Sequence, residues 1–175
     1  MKLILVRHAK SSWKHSGLDD MERPLNKRGK RDAPAMGELL RKKGVMPDCV
    51  ISSPARRAAK TAKHIARQVN YPPERIVLDE AVYMASAEEL FDIIHRLGKT
   101  CETVMIVGHN PAFTGLVNCL SDFRVDNMPT CGMAAFAFDV EDWSGIEAGS
   151  GKLLFFEYPK KNRAQLAGNA GQGKA

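Results

Sequence analysis

Leu3-Ile4-Leu5-Val6-Arg7-His8-Ala9-Lys10-Ser11-Ser12 opens with four consecutive apolar residues and is closed by an arginine and a histidine. An unbroken apolar run of this length predicts a short strand buried on both faces. A cation and a titratable imidazole at its end point to the carboxyl edge of a sheet, where open α/β folds hold their ligands. The chain repeats the device twice. Cys49-Val50-Ile51 runs into Ser52-Ser53-Pro54-Ala55-Arg56-Arg57, and Val104-Met105-Ile106-Val107 runs into Gly108-His109-Asn110-Pro111. In a parallel sheet these three ends lie side by side. Arg7, His8, Arg56 or Arg57, and His109 then share one pocket. Guanidinium forks grip phosphate oxygens and an imidazole attacks phosphorus, so the set suits a phosphoryl group.

Between these ends the pattern alternates helix and strand. Asn26 is placed to cap a helix to about Lys43, with Ala33, Met36, Leu39 and Leu40 inward and Gly44 as its stop. A second helix is expected from about Ala55 to Val69, and a short strand at Arg75-Ile76-Val77-Leu78 after Pro72-Pro73. Ser86 and Glu89 form a capping box for a helix through Leu97. Pro111 suits the first turn of a helix reaching Leu120, and Met133–Val140 with Leu153–Tyr158 reads as a late hairpin. Gly149-Ser150-Gly151-Lys152 lacks the spacing of a phosphate-binding loop and is its turn. The fold class is therefore α/β, three layers (α/β/α) around a mostly parallel sheet.

At 175 residues, with 44% hydrophobic and 26% charged residues, the chain fits one domain with a proper core. The domain is expected over 1–159, followed by a disordered basic tail at 160–175. Of the net charge of +6, Lys160, Lys161, Arg163 and Lys174 belong to that tail; without them 22 basic residues face 20 acidic ones. The balance of the body argues against a nucleic-acid role. No apolar run reaches membrane-spanning length and no export-signal pattern opens the chain, so a cytoplasmic protein with no membrane contact is expected. Cys49, Cys101, Cys119 and Cys131 show no CxxC pair and read as small, free core residues.

Leu5-Val6-Arg7-His8-Ala9, Ser53-Pro54-x-x-Arg57-Ala58-x-x-Thr61 and Gly108-His109-Asn110 together resemble the three motifs of the histidine phosphatase superfamily, the phosphoglycerate-mutase-like fold. The resemblance selects Arg57 over Arg56. It implies that His8 is the phosphorylated residue, with Arg7, Arg57 and His109 as phosphate contacts. Leu78-Asp79-Glu80-x-x-Tyr83 resembles the segment that carries the proton donor in several members, which makes Glu80 the candidate acid and Asp20 its understudy. Arg-His-Ala-Lys-Ser-Ser-Trp with Asp20-x-x-Arg23-Pro24-Leu25 resembles the SixA-type phosphohistidine phosphatases. Ser11, Lys14, Asp20 and Asn110 are the further substrate-binding candidates. Lys14 stands where the mutases have asparagine, which favours a phosphatase over a sugar-phosphate mutase.

The space between Tyr83 and Thr103 admits one helix, so no large lid insertion is expected. An open pocket suits a phosphoryl group presented on a protein; the alternatives are a small phosphoester substrate or a non-catalytic phosphate-recognition module. No step requires a metal or another cofactor.

Overall fold

The computed structural model describes residues 1–14, 17–162 and 164. Six strands form one sheet: β1 (Lys2–Arg7), β2 (Cys49–Ser52), β3 (Val77–Leu78), β4 (Thr103–Gly108), β5 (Met133–Ala137) and β6 (Lys152–Glu157). Their order across the sheet is β3-β2-β4-β1-β5-β6. β1 pairs parallel with β4, β4 with β2 and β2 with β3, whereas β5 runs antiparallel to both of its neighbours. The connections are α1 (Lys27–Lys42), α2 (Arg56–Gln68), α3 (Ala87–His95) and α4 (Ala112–Leu120).

Strand alternation sorts the core into two layers of apolar contact. Leu3, Leu5, Val104, Ile106 and Phe136 face α3 and α4, packing with Leu90, Ile94, Phe113 and Leu116. Ile4, Val6, Met105, Val107 and Met133 face the other way, onto Met36, Leu40, Ala62 and Ile65 of α1 and α2. This is the three-layer α/β/α arrangement, and only α3 fills the space between Tyr83 and Thr103 apart from loops.

Local chemistry fixes the helix ends. The Asn26 side chain accepts from the Gly29 amide at 2.9 Å, and Gly44, at φ +69°, follows the end of α1 in the left-handed region that glycine enters at little cost. Ser86 and Glu89 form the reciprocal capping box. The α1 N-terminus lies hard against the segment after β1. The Asn26 amide donates to the Lys10 carbonyl at 3.0 Å, and a Cβ on Gly29 would stand 2.2 Å from that carbonyl oxygen.

Three expectations change. Pro72-Pro73 leads into a one-turn 3-10 helix, Pro73–Arg75, which leaves β3 only two residues. The first hairpin strand stops at Ala137 instead of Val140, and the connection to the second carries a 3-10 turn whose fully buried Trp143 donates its indole N–H to the Cys101 carbonyl at 2.6 Å. Cys49 and Cys101, read as free core residues, are disulfide-bonded, with Cα atoms 5.8 Å apart.

At the chain's end, residues 159–162 form a helical turn in which Lys161 Nζ donates to the Phe156 carbonyl at 2.8 Å. The remainder of the expected tail, residue 163 and residues 165–175, lies outside the described residues. No helix among the described residues is long and apolar enough to cross a membrane.

Candidate active site

The parallel register delivers the expected convergence. Arg7 pairs with Gly108 and Ser52 with Val107, and the ladder continues past the strands: the His8 amide donates to the Gly108 carbonyl at 3.0 Å, and the Ser53 amide to the Val107 carbonyl at 2.9 Å. His8, Ser53 and His109 therefore leave the sheet side by side. The His8 and His109 ring centroids are 5.1 Å apart. They line an open cleft of about 520 Å³ together with Arg7, Arg57, Asp20 and Tyr83.

Each imidazole is held in a defined state. His8 Nδ1 lies 2.8 Å from the Ala9 carbonyl, which accepts only, so Nδ1 carries the proton and the Nε2 lone pair stays free. The Ala9 amide in turn donates to Thr61 Oγ1 at 3.0 Å. Burial, opposed by that carbonyl contact and reinforced by His109, Arg57 and Arg7, pushes the His8 pKa down to about 3. His109 is pushed to about 4 by burial and then by Arg57. Its Nδ1 lies 3.3 Å from Arg57 Nη2, a donor, and its Nε2 lies 2.8 Å from Ser53 Oγ. His109 in the free site is thus neutral, with the proton on Nε2.

Arg57 is buried and lines the cleft, whereas Arg56 is exposed and does not. The Arg57 guanidinium is engaged by Asp20, with Nη1 on the Asp20 carbonyl at 2.5 Å and Nη2 on Oδ2 at 2.8 Å. The same carboxylate accepts from Arg23 Nη1 at 2.7 Å and from Tyr83 Oη at 2.9 Å. Burial alone would raise the Asp20 pKa; the hydrogen bonds from Tyr83, Arg23 and Arg57 outweigh it and bring the pKa to about 2. Arg7 donates from Nη1 to the Met128 carbonyl at 2.6 Å, and its buried Nε has no partner among the described residues.

Ser11 lines the cleft and accepts from Arg23 Nη2 at 2.6 Å. Asn110 also lines it, with its amide nitrogen on Asn127 Oδ1 at 2.6 Å and the Met128 carbonyl at 3.1 Å. Two expected members fall elsewhere. Glu80 sits exposed in the 3-10 turn Glu80–Val82 and does not line the cleft; the carboxylate there is Asp20, because the Asp20–Glu22 turn folds back over α2. Lys14 is exposed and lines a neighbouring cleft, while Lys10 takes the place beside His8. The Phe113 amide at the start of α4 is taken by the His109 carbonyl at 3.1 Å, so it fixes that backbone instead of facing an anion. Arg23, which anchors Asp20, entered the sequence reading only within the Asp20-x-x-Arg23-Pro24-Leu25 resemblance and with no role assigned.

Metal-type donors cluster once among the described residues, at Asp48, Cys49 and Cys101. Both sulfurs are in the disulfide, and the Asp48 carboxylate accepts from the Glu102 and Thr103 amides at 3.1 and 3.2 Å.

Sheet and cleft define a class: an α/β protein with paired, neutral imidazoles and flanking arginines at the carboxyl edge of parallel strands. The chain belongs to the histidine phosphatase superfamily (branch 1), whose family model matches residues 3–83. An uncharacterized protein of Mycobacterium tuberculosis is 31% identical over 165 residues, covering 89% of this chain and all of the relative. A solved structure from Agrobacterium tumefaciens, assigned as the phosphohistidine phosphatase SixA, superposes with a TM-score of 0.75 at 25% identity, over 90% of this chain and 97% of that one. The protein histidine phosphatase SixA solved with tungstate shares the fold, with a TM-score of 0.77 at 21% identity over 91% and 98% of the two chains.

Proposed function

We propose that the protein is a metal-independent phosphatase that removes phosphate from phosphohistidine in a protein partner, with His8 as nucleophile. The observation that carries the substrate class is the state of Asp20. Among the described residues it is the only carboxylate lining the cleft, and three donors keep it ionised down to a pKa of about 2. An ionised carboxylate has no proton to give an alkoxide leaving group at neutral pH. A phosphorylated imidazole can instead take a proton from solvent on its other ring nitrogen, in the pH range near 6.5 where imidazoles ordinarily titrate, and then departs as neutral imidazole, so it needs no such acid. The SixA assignment of a structural neighbour supports the same reading.

In the proposed reaction the free Nε2 lone pair of His8 attacks phosphorus in line. The new N–P bond forms as the P–N bond to the substrate histidine breaks; that ring, protonated by solvent on its other nitrogen, takes the electron pair and leaves as neutral imidazole. Arg7 and Arg57 share the charge on the equatorial oxygens, which is the protein's main contribution to phosphoryl transfer. Binding of the anion favours protonation of His109, which then adds a further donor. Water next attacks phosphorus, breaks the bond to His8 and releases inorganic phosphate.

The test is a substrate panel at matched concentration: a phosphohistidine protein, phosphoimidazole, and aryl and alkyl phosphates. His8→Ala is expected to abolish turnover of every member and the acid-labile label left on wild type by a radioactive phosphodonor. Glu80→Gln is expected to leave every rate within about twofold, since that side chain lies outside the cleft. Preference for alkyl phosphates over phosphohistidine would overturn the substrate assignment and favour a small-metabolite phosphatase. Absence of any labelling would leave only phosphate recognition.

A further inference from the structure

We propose that the surface formed by Lys10, Lys14, Lys27 and Lys30 around Trp13 docks an acidic face of the protein that presents the phosphohistidine. The partner's identity rests on the reading above; the surface itself rests on the following geometry.

The catalytic cleft shares a wall with a second cleft of about 450 Å³. Lys10, Ser11 and Trp13 line the first, while Ser12, Lys14, Lys27, Arg28 and Lys30 are among those lining the second. The wall is held to the start of α1: Ser11 bridges Leu25, and the Ser12 amide donates to the Pro24 carbonyl at 2.8 Å. Together with the Lys10–Asn26 contact, this places the α1 lysines directly beside the catalytic mouth.

The charge there is local. The body of the chain is nearly balanced, yet among the described residues no acid lines the second cleft. Arg28 is satisfied by Asp32 at 3.2 Å, whereas Lys10, Lys14, Lys27 and Lys30 form no ion pair among the described residues. Asp20, the one carboxylate of the catalytic cleft among the described residues, is occupied by Arg57 and Arg23. An approaching acidic surface therefore meets unneutralised ammonium groups, the arrangement that steers encounter and sets orientation.

Two apolar side chains argue for a protein as occupant. Trp13 is 75% exposed, with the Arg23 guanidinium 3.3 Å from its ring centroid. Met84, on the same rim, is 76% exposed and held at φ +60°. Tryptophan, methionine and arginine are the residues that protein interfaces collect at their centres. A single phosphate fills only the histidine cleft and leaves both side chains and the second cleft uncovered.

The experiment compares wild type with Lys27→Glu/Lys30→Glu. The substrates are phosphoimidazole and an acidic histidine-phosphotransfer domain charged with phosphoramidate; binding of the uncharged domain is followed by calorimetry. The variant is expected to lose about tenfold in kcat/KM on the domain and about tenfold in affinity for it. Phosphoimidazole turnover should stay within about twofold, and the gap on the domain should close in about 0.5 M salt. Unchanged affinity and kcat/KM on the domain would overturn the proposal. If both substrates suffer, the milder Lys27→Gln/Lys30→Gln decides: selective loss on the domain supports docking and equal loss overturns it. Displacement of the domain by single-stranded RNA at equal charge concentration would assign the surface to nucleic acid and also overturn it. If wild type binds the domain but hydrolyses neither phosphoramidate, the docking surface stands and the phosphohistidine reading fails.

Discussion

Asp20→Asn is the perturbation with the least intuitive expected result. In the free protein the Asp20 carboxylate holds Arg57 at 2.8 Å, and the same guanidinium nitrogen lies 3.3 Å from His109 Nδ1. The carboxylate is thus at most about 6 Å from the imidazole that faces the incoming phosphate, where an effective dielectric of about 20 gives roughly 3 kcal/mol of repulsion per unit charge. Arg23 and Tyr83 also bind the carboxylate and screen part of that field. If about half survives, removing the charge tightens anion binding by about 1.4 kcal/mol, or tenfold. The assay is inhibition of phosphoimidazole hydrolysis by inorganic phosphate and by tungstate. Both inhibition constants should fall about tenfold. For tungstate, a dianion at both pH values, the ratio should be the same at pH 5 and pH 8, because Asp20, with its pKa at about 2, is ionised throughout. Catalysis should stay within a few fold of wild type, since no proton is drawn from Asp20. Weaker phosphate binding, or collapse of phosphoimidazole turnover alone, would show that the carboxylate aligns Arg57 or joins the chemistry, and would refute the reasoning.

Acid should destabilise the protein through its two site imidazoles. Burial lowers the folded-state pKa of His8 to about 3 and of His109 to about 4, so the unfolded chain takes up protons first as pH falls below about 6.5. Their contribution is complete above pH 6.5 and is lost as pH falls towards those folded values. Between pH 7 and pH 5, urea titrations should show a loss on the order of 3 kcal/mol that His8→Asn/His109→Gln reduces; an equal loss in that variant would place the effect elsewhere. Gly29→Ala puts a methyl 2.2 Å from the backbone oxygen of Lys10 and should cost about 2 kcal/mol or more, whereas Gly17→Ala, with nothing within 4 Å of the new methyl, should be nearly silent by the same titration.

The sheet was legible because β1, β2 and β4 are short apolar runs buried on both faces, a pattern that turn residues bound on either side. Asn26 and the Ser86–Glu89 box marked helix starts for the same reason: capping is local, and local interactions leave local signals. His8, Arg57 and His109 followed from the strand ends. Asp20 was named as understudy acid and substrate-binding candidate, but its contact with Arg57, 37 residues away, was not legible, since it depends on an irregular loop with no periodicity to announce it. Glu80 was preferred because its segment resembled a donor-bearing one, but the turn Glu80–Val82 points it to solvent. The cysteine bridge was invisible for a different reason. Cys49 and Cys101 are 52 residues apart, and only the register setting Cys49 beside Val104 brings them together.

That bridge sits where β2 begins and just ahead of β4, whereas the histidines emerge where β1 and β4 end. Six residues of strand separate the two, roughly 20 Å at about 3.3 Å per residue. Opening the bridge with a reductant loosens the far margin of the sheet and leaves the imidazoles on their own hydrogen bonds. The bridge thus ties β2 to the approach to β4 at the margin of the sheet opposite the cleft.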